Sequence, residues 1–174
     1  MARYVALLRG INVGGITIAM ADLKDVFTGL GFGNVRTVLA SGNVLFDAGT
    51  ADTAESKARI EAALRARFGY EAFVFVHDQA AVAAVVDAYP FQERDGRHAY
   101  AVFVAEPAVL DELAVTTADL DPAVERVARG DGVLYWDVER GQTVRGAFGR
   151  NLGKPRYKAV TTTRNLRTLR KLQV

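Results

Sequence analysis

The chain has 174 residues, half of them apolar, and is long enough to bury a hydrophobic core as one or two small domains. It has no cysteine and two histidines, His77 and His98, which excludes disulfides, thiolate metal sites and cysteine nucleophiles. Its net charge of +2 hides an asymmetry: residues 1–139 carry 12 basic against 20 acidic residues, a net −8, whereas residues 140–174 carry 10 basic and no acidic ones.

The first half of the sequence alternates strand and helix patterns. We predict strands at 3–8, 35–39, 44–46 and 71–77, a helix from Met20 that Gly31 ends, and a helix at 53–68 with Thr53 as its cap. Ser41-Gly42-Asn43 joins the second and third strands as a hairpin turn. The order strand-helix-strand-strand-helix-strand predicts a ferredoxin-like (split βαβ) half over residues 1–78.

Residues 79–174 read as a looser α+β copy of the first half. The predicted elements are helices at 80–88 and 107–113, strands at 99–104, 124–127 and 133–138, and one or two short helices in the basic segment 140–174. No linker rich in proline, glycine or serine separates the two halves. The longest apolar run, 80–86, is far below the roughly 20 residues that span a bilayer, so we expect a cytoplasmic protein without a membrane partner.

Two predicted strands, 73–76 and 99–104, are apolar at both alternating sets of positions. Such strands are buried on both faces. A single ferredoxin-like unit leaves one face of its sheet open, so we expect the halves to share a sheet or to pack sheet against sheet. The predicted fold is one compact α+β body with a basic, helical C-terminal segment.

The loop from Arg9 to Gly15, between the first strand and the first helix, is a candidate anion site. Backbone amides and a helix N-terminus in this position hold phosphate in many proteins. The loop fits neither the Walker A motif nor the dinucleotide fingerprint. Its alternative role is a turn whose glycines supply positive φ angles. The candidate residues are Arg9, Asn12, Gly14 and Gly15.

The basic segment is the strongest charge signal in the chain. At 161–172, the three threonines offer an N-cap and three leucines a docking face, while Arg164, Arg167 and Lys171 line another face. Such a cationic surface attracts nucleic acid or another polyanion. The alternative is that the segment neutralises the acidic remainder of the chain. The possible nucleic-acid contacts are Arg150, Lys158, Arg167 and Lys171.

Three stretches together resemble the bacterial domain-of-unknown-function family numbered sixteen ninety-seven. They are LLRGINVGG at 7–15, VRTVLASGNVLF at 35–46, and GRNLGK at 149–154 with TTTRNLRTLRKL at 161–172. The resemblance implies two related α+β halves and no assigned activity. Where the family reads Asn-Pro-Phe, this chain has Tyr89-Pro90-Phe91. The polar positions of the family pattern fall on Arg9, Asn12, Ser41, Asn43, Lys154, Thr163, Arg164 and Asn165.

Polar residues at loop and helix-start positions favour binding over packing. We expect Arg9 and Asn12 to be approached by Lys154, Arg164 and Asn165 around one anion. The Ser41–Asn43 turn is expected at the opposite end of the sheet and therefore outside that pocket.

Three function classes stay open at this point, and the sequence predicts no metal, cofactor, catalytic residue or oligomeric state. A nucleic-acid-binding module is favoured by the basic segment. The second class is an enzyme acting on a phosphorylated or carboxylated small molecule at the Arg9–Gly15 loop. The third is a protein-interaction module with opposed acidic and basic faces.

Overall fold

The computed structural model describes residues 2–11, 16–49, 52–157 and 159–173. Within these residues the fold is mixed α+β, with two four-stranded antiparallel sheets, six α-helices and one short 3-10 helix. The chain divides into two compact units, Met1–Ala83 with Arg170–Val174, and Ala84–Leu169. Among the described residues, every α-helix lacks the length or the hydropathy needed to span a bilayer. The division predicted at 78/79 stays a prediction.

The first unit contains one sheet and two helices. Its elements are β1 (Ala2–Arg9), α1 (Met20–Gly29), β2 (Gly33–Thr37), β3 (Asn43–Ala48), α2 (Thr53–Phe68) and β4 (Phe73–Asp78). The strand order is β2-β3-β1-β4, and every neighbouring pair is antiparallel. The core includes Leu23 and Phe27 from α1, Ile60 and Leu64 from α2, and Phe46 from β3. Apolar residues at helical spacing thus place α1 and α2 in the core with β3.

The second unit repeats this plan. Helix α3 (Gln79–Asp87) crosses the boundary between the units, and so does the last helix, whose residues Arg170 and Lys171 belong to the first unit. The remaining elements are β5 (Arg97–Val104), α4 (Pro107–Val115), β6 (Glu125–Arg129), β7 (Val133–Glu139), α5 (Ala147–Leu152), the 3-10 helix Pro155–Tyr157, β8 (Thr161–Asn165) and α6 (Leu166–Lys171). The strand order is β6-β7-β5-β8, again antiparallel throughout. Trp136 of β7 packs edge-on against Phe148 of α5, with ring centroids 5.2 Å apart.

The predicted helix at 53–68 is confirmed at both ends, but its predicted cap is wrong. The Asp52 carboxylate, not Thr53, accepts the Glu55 amide at 3.0 Å. A carboxylate at this position both satisfies a free amide and complements the positive end of the helix.

The prediction for the threonine run is also wrong, because Thr161, Thr162 and Thr163 belong to strand β8 and not to a helix cap. β-Branched residues fit a pleated sheet well, and β8 pairs with β5 over five residues. The Asn165 side chain accepts the Thr168 amide at 2.8 Å and caps α6 instead. The basic segment is therefore part strand and part helix. Within α6, Leu166 and Leu169 are buried as predicted.

Strands β4 and β5 are buried on both faces, as predicted from their apolar residues. Neighbouring residues of a strand point to opposite faces. Val74 and Phe75 of β4 are both buried, as are Val102 and Phe103 of β5. The two halves do not share a sheet among the described residues, because β4 and β5 lie in separate ladders.

Candidate functional site

The structure describes the beginning of the Arg9–Gly15 loop. Arg9 ends β1 and is half-buried, and this burial lowers the pKa of its guanidinium. Gly10 adopts a left-handed φ of 78°, and Ile11 is 1 % exposed. The candidates Asn12, Gly14 and Gly15 lie outside the described residues. The loop thus leaves the sheet through a left-handed glycine and a buried isoleucine.

The Ser41–Asn43 turn lies beside this loop, and its predicted place at the opposite end of the sheet is wrong. The Leu8 amide donates to the Gly42 carbonyl at 2.8 Å, and Leu7 faces Asn43 in the β1–β3 register. The reason is strand direction. Because β1 and β2 are both antiparallel to β3, they run the same way and end at the same edge.

Asn43 holds the turn together from inside. Its side chain is fully buried, and the amide nitrogen donates to the Val38 carbonyl at 2.9 Å and to Ser41 Oγ at 3.0 Å. Both amide protons therefore have acceptors. Ser41 is exposed. The contacts of Asn43 therefore favour a structural role for this side chain.

Two of the predicted anion ligands from the basic segment are occupied within the protein. Arg164 is 9 % exposed in β8, and its Nη1 donates to Thr162 Oγ1 at 2.7 Å and to the Thr163 carbonyl at 2.9 Å. It does not line a helix face as predicted, because the residues around it form a strand. Asn165 is the cap of α6. The predicted approach of these residues and Lys154 to Arg9 stays a prediction.

The cations around α5 project from a segment that is anchored to the core. Phe148 and Leu152, four residues apart, are buried, whereas Arg150 between them is exposed. Arg145 precedes the helix, Lys154 follows it, and both are exposed. We call Arg145, Arg150 and Lys154 the α5 cations. Lys158 lies outside the described residues.

A buried carboxylate fixes the start of α5. Glu125 is 2 % exposed and accepts hydrogen bonds from Trp136 Nε1 at 3.1 Å and from the Phe148 amide at 3.5 Å. Gly149 allows the close packing there, since a Cβ on it would lie 1.7 Å from the Thr143 carbonyl oxygen. The α5 cations thus extend from a fixed backbone.

Most described cations of the basic segment have no carboxylate partner. Arg156 forms an ion pair with Glu112 and lies over the Tyr157 ring. Within the part of the basic segment that belongs to the second unit, five exposed cations form no ion pair with any residue in the described ranges: Arg140, Arg145, Arg150, Lys154 and Arg167. Lys171, in the first unit, is also exposed and is in no ion pair there.

An internal ion cluster in the second unit centres on Asp137, which is 2 % exposed. Its two oxygens accept from Arg97 Nε and Arg126 Nη2, each at 2.9 Å. Burial alone would raise the pKa of this carboxyl, but the hydrogen bonds from the two arginines outweigh burial and the pKa is lowered. The Arg126 guanidinium lies over the Phe91 ring at 4.6 Å, and Tyr89 packs edge-on against that ring. Because both arginines are hydrogen-bonded to the Asp137 carboxylate, we interpret it as a structural ion-pair partner and not as a catalytic base.

The first unit also contains a groove of about 780 Å³. The sequence patterns do not indicate this site. Its polar lining comes from β1, α1, β2 and β3: Arg3, Lys24, Thr28, Asn34, Arg36 and Asp47. The signal that could have revealed it is the charge pair Arg3 and Asp47, which face each other in the β1–β3 register. That register cannot be read from either strand alone.

Comparison with solved structures finds a likeness that extends over nearly the whole chain. The conserved bacterial protein SP0830 from Streptococcus pneumoniae matches with a TM-score of 0.80 and 25% sequence identity, over 99% of this chain and 97% of that one. No curated protein matches the sequence. The family model described as "Protein of unknown function (DUF1697)" matches residues 1–135 of the 174. The chain belongs to that family.

Proposed function

We propose that this protein binds polyanions, with nucleic acid as the favoured partner, through the exposed cations of residues 140–167. One observation carries the proposal. The α5 cations, Arg140 and Arg167 are exposed and pair with no carboxylate in the described ranges, although the rest of the chain supplies an excess of acidic residues. Uncompensated cations on a folded surface attract polyanions.

The contrast with Arg156 weighs against the alternative in which the segment only neutralises the acidic remainder. Arg156 pairs with Glu112, so it does have the partner that this alternative requires. The α5 cations have none in the described ranges. If the segment only neutralised the acidic remainder of the chain, most of its cations would form ion pairs with carboxylates, as Arg156 does.

The anchoring of α5 adds to the proposal. Buried Phe148 and Leu152 and the contact between Glu125 and the Phe148 amide fix the backbone that carries Arg150. A cation on an ordered helix loses less conformational entropy on binding than one on a disordered tail. The proposal therefore describes a folded binding surface.

The aromatic residues of the segment restrict the mode of binding. Phe148 and Tyr157 are its only aromatic residues, and both are buried. Base stacking by single-strand binders needs exposed rings. We therefore propose contacts to the phosphate backbone without base readout. For such contacts, double-stranded nucleic acid is a better ligand than a single strand, because its phosphates are more closely spaced along the axis.

We further interpret each unit as a ferredoxin-like half. Both units place their elements in the order strand-helix-strand-strand-helix-strand, and their strand orders, β2-β3-β1-β4 and β6-β7-β5-β8, are equivalent. Assignment of the protein to bacteria also stays a proposal, supported by the bacterial relative. The cytoplasmic location stays a prediction from the sequence.

The test is fluorescence anisotropy with a labelled short duplex and its single strand at low salt. Replacement of Arg150 or Lys154 by Ala should weaken duplex binding by about three- to tenfold, as loss of a charge-assisted contact does. The matched control is Arg94→Ala, an exposed arginine of the same unit that stands between Glu93 and Asp95. Failure of the wild-type protein to bind either strand form would refute the proposal, and charge-dependent self-association would favour the protein-interaction class.

A further inference from the structure

The groove in the first unit is built around an irregularity in strand β2. Gly33 pairs with Asp47 and Arg36 with Leu45, so β2 contains one residue more than β3 between these two pairs. Asn34, within this bulge, has a left-handed φ of 46°. Bulges of this kind turn side chains away from the regular alternation of a strand. Here the bulge brings Asn34 into the lining of the groove.

Three residues of the groove lining, Arg3, Asn34 and Asp47, are joined by hydrogen bonds. Arg3 Nη1 donates to Asp47 Oδ1 at 2.9 Å and to the Asn34 carbonyl at 3.0 Å, and Asn34 Nδ2 donates to Asp47 Oδ2 at 2.8 Å. The hydrogen bonds from Arg3 and Asn34 lower the pKa of Asp47. Arg3 uses a single nitrogen in these contacts. Its guanidinium is thus held in place with its other nitrogens available to a ligand.

Two cations and a hydroxyl complete the polar lining of the groove. Lys24 and Thr28 are four residues apart on α1 and therefore share a helix face. Arg36 comes from β2. Neither Lys24 nor Arg36 forms an ion pair in the described part of the chain. Because Arg3 and Asp47 cancel, the lining carries a net charge of +2.

We propose that this groove binds the phosphate of a small phosphomonoester, held by Lys24, Arg36 and Arg3, with Thr28 as an added hydrogen-bond donor. A phosphomonoester carries close to two negative charges at neutral pH and has three acceptor oxygens, which matches the charge and the donors. The volume of about 780 Å³ is in the range of small-ligand sites. Phe32 and Val35 also line the groove and offer an apolar contact to the organic part.

This site differs from the proposed polyanion surface in its residues and in its ligand. A phosphodiester of a nucleic-acid backbone carries one charge per phosphate and matches the net +2 less well than a monoester does. Phenyl phosphate and its methyl diester are therefore suitable probes. Inorganic sulfate is a dianion at every pH used. Any change of its affinity with pH therefore comes from the protein and not from the probe.

The experiment is a titration of the full chain with the three probes, followed by backbone amide NMR shifts of Thr28 and Arg36. Phenyl phosphate should bind saturably and about tenfold more tightly at about pH 7.5 than at about pH 5, because its second ionisation lies near pH 6. Sulfate binding should change little over that range. Lys24→Ala and Arg36→Ala should each weaken phenyl phosphate binding about tenfold.

The matched control is Arg67→Ala, which removes the same charge from a half-exposed side chain that is not in the groove lining and forms a 3.6 Å ion pair with Asp22. It should leave the affinity unchanged. Lys24→Ala should also leave duplex binding unchanged, which separates this site from the polyanion surface. The proposal is overturned if no probe binds saturably, if the diester binds as tightly as the monoester, or if the folded Lys24 and Arg36 variants retain wild-type affinity.

Discussion

The Leu8 amide and the Gly42 carbonyl are joined by a hydrogen bond of 2.8 Å, which ties the end of β1 to the β2–β3 turn. Gly42 has a φ of 88°, and a Cβ on it would lie 2.9 Å from the Leu8 Cβ and 3.1 Å from side-chain carbons of Ile11. Both the backbone angle and the space thus require glycine at this position. Because Ile11 belongs to the candidate anion loop, the turn supports the base of that loop.

The first prediction separates these two requirements. Gly42→Ala should lower the free energy of unfolding by about 2–4 kcal/mol, from left-handed strain and overpacking together. Gly10→Ala should cost only about 1 kcal/mol, because Gly10 has a φ of 78° but no atom of the described residues lies within 4 Å of the added Cβ. Urea denaturation of both variants measures the difference. Equal losses would mean that the contact with Leu8 does not restrict this position.

Most elements of the first unit can be predicted from the spacing of apolar residues in the sequence, because α2 and the hairpin strands carry regular apolar patterns between glycines. The relation of the turn to the Arg9 loop was mispredicted for a topological reason. The edge at which two loops meet depends on the direction of each strand, and the apolar pattern of a strand is the same in either direction. The shared partner β3 fixes the directions of β1 and β2.

The second prediction concerns the ion cluster around Asp137. Replacement of Asp137 by Asn leaves the largely buried Arg97 without its counter-charge and should destabilise the protein by about 3–5 kcal/mol at neutral pH. The exposed pair Asp111–Arg129 is the control, and Asp111→Asn should cost less than about 1 kcal/mol. Thermal and urea unfolding check both values. A small effect at Asp137 would show that the two arginines are solvated well enough without it.

The third prediction is the pH dependence that Asp137 contributes. Its pKa is lowered in the folded state, so the unfolded chain binds more protons in the acid range. The stabilisation is fully present above the unfolded pKa of about 4 and is lost as the pH falls through the folded value. The free energy of unfolding should therefore decline below about pH 4, and Asp137→Asn should flatten that decline. An unchanged slope in this variant would contradict the assignment.

The fourth prediction links the packing of α5 to binding. Gly149→Ala must displace α5, since the added Cβ would lie 1.7 Å from the Thr143 carbonyl oxygen. It should weaken duplex binding although every cation is retained. Gly153→Ala is the control, because its added Cβ meets atoms no closer than 3.5 Å. Anisotropy titration and circular dichroism of both variants test this, and wild-type affinity in a folded Gly149→Ala protein would contradict it.

The candidate site was less predictable than the fold. Charge counts predicted the cations of the basic segment, but Arg164 was wrongly placed on an exposed helix face because the threonines beside it also suit a helix cap. The groove escaped prediction because Arg3, Lys24, Arg36 and Asp47 come from four elements. Only the strand register and the β2 bulge bring them together.

The salt dependence of duplex binding tests the central claim most directly. Each phosphate that a cation neutralises contributes about −0.9 to the slope of log affinity against log salt. If about four of the unpaired cations meet phosphates, affinity should fall by roughly two decades over a fourfold rise in salt. Arg167→Ala should flatten the slope by about one contact, without loss of thermal stability, because Arg167 is exposed. A shallow slope, or one that Arg167→Ala leaves unchanged, would contradict polyanion binding by this segment.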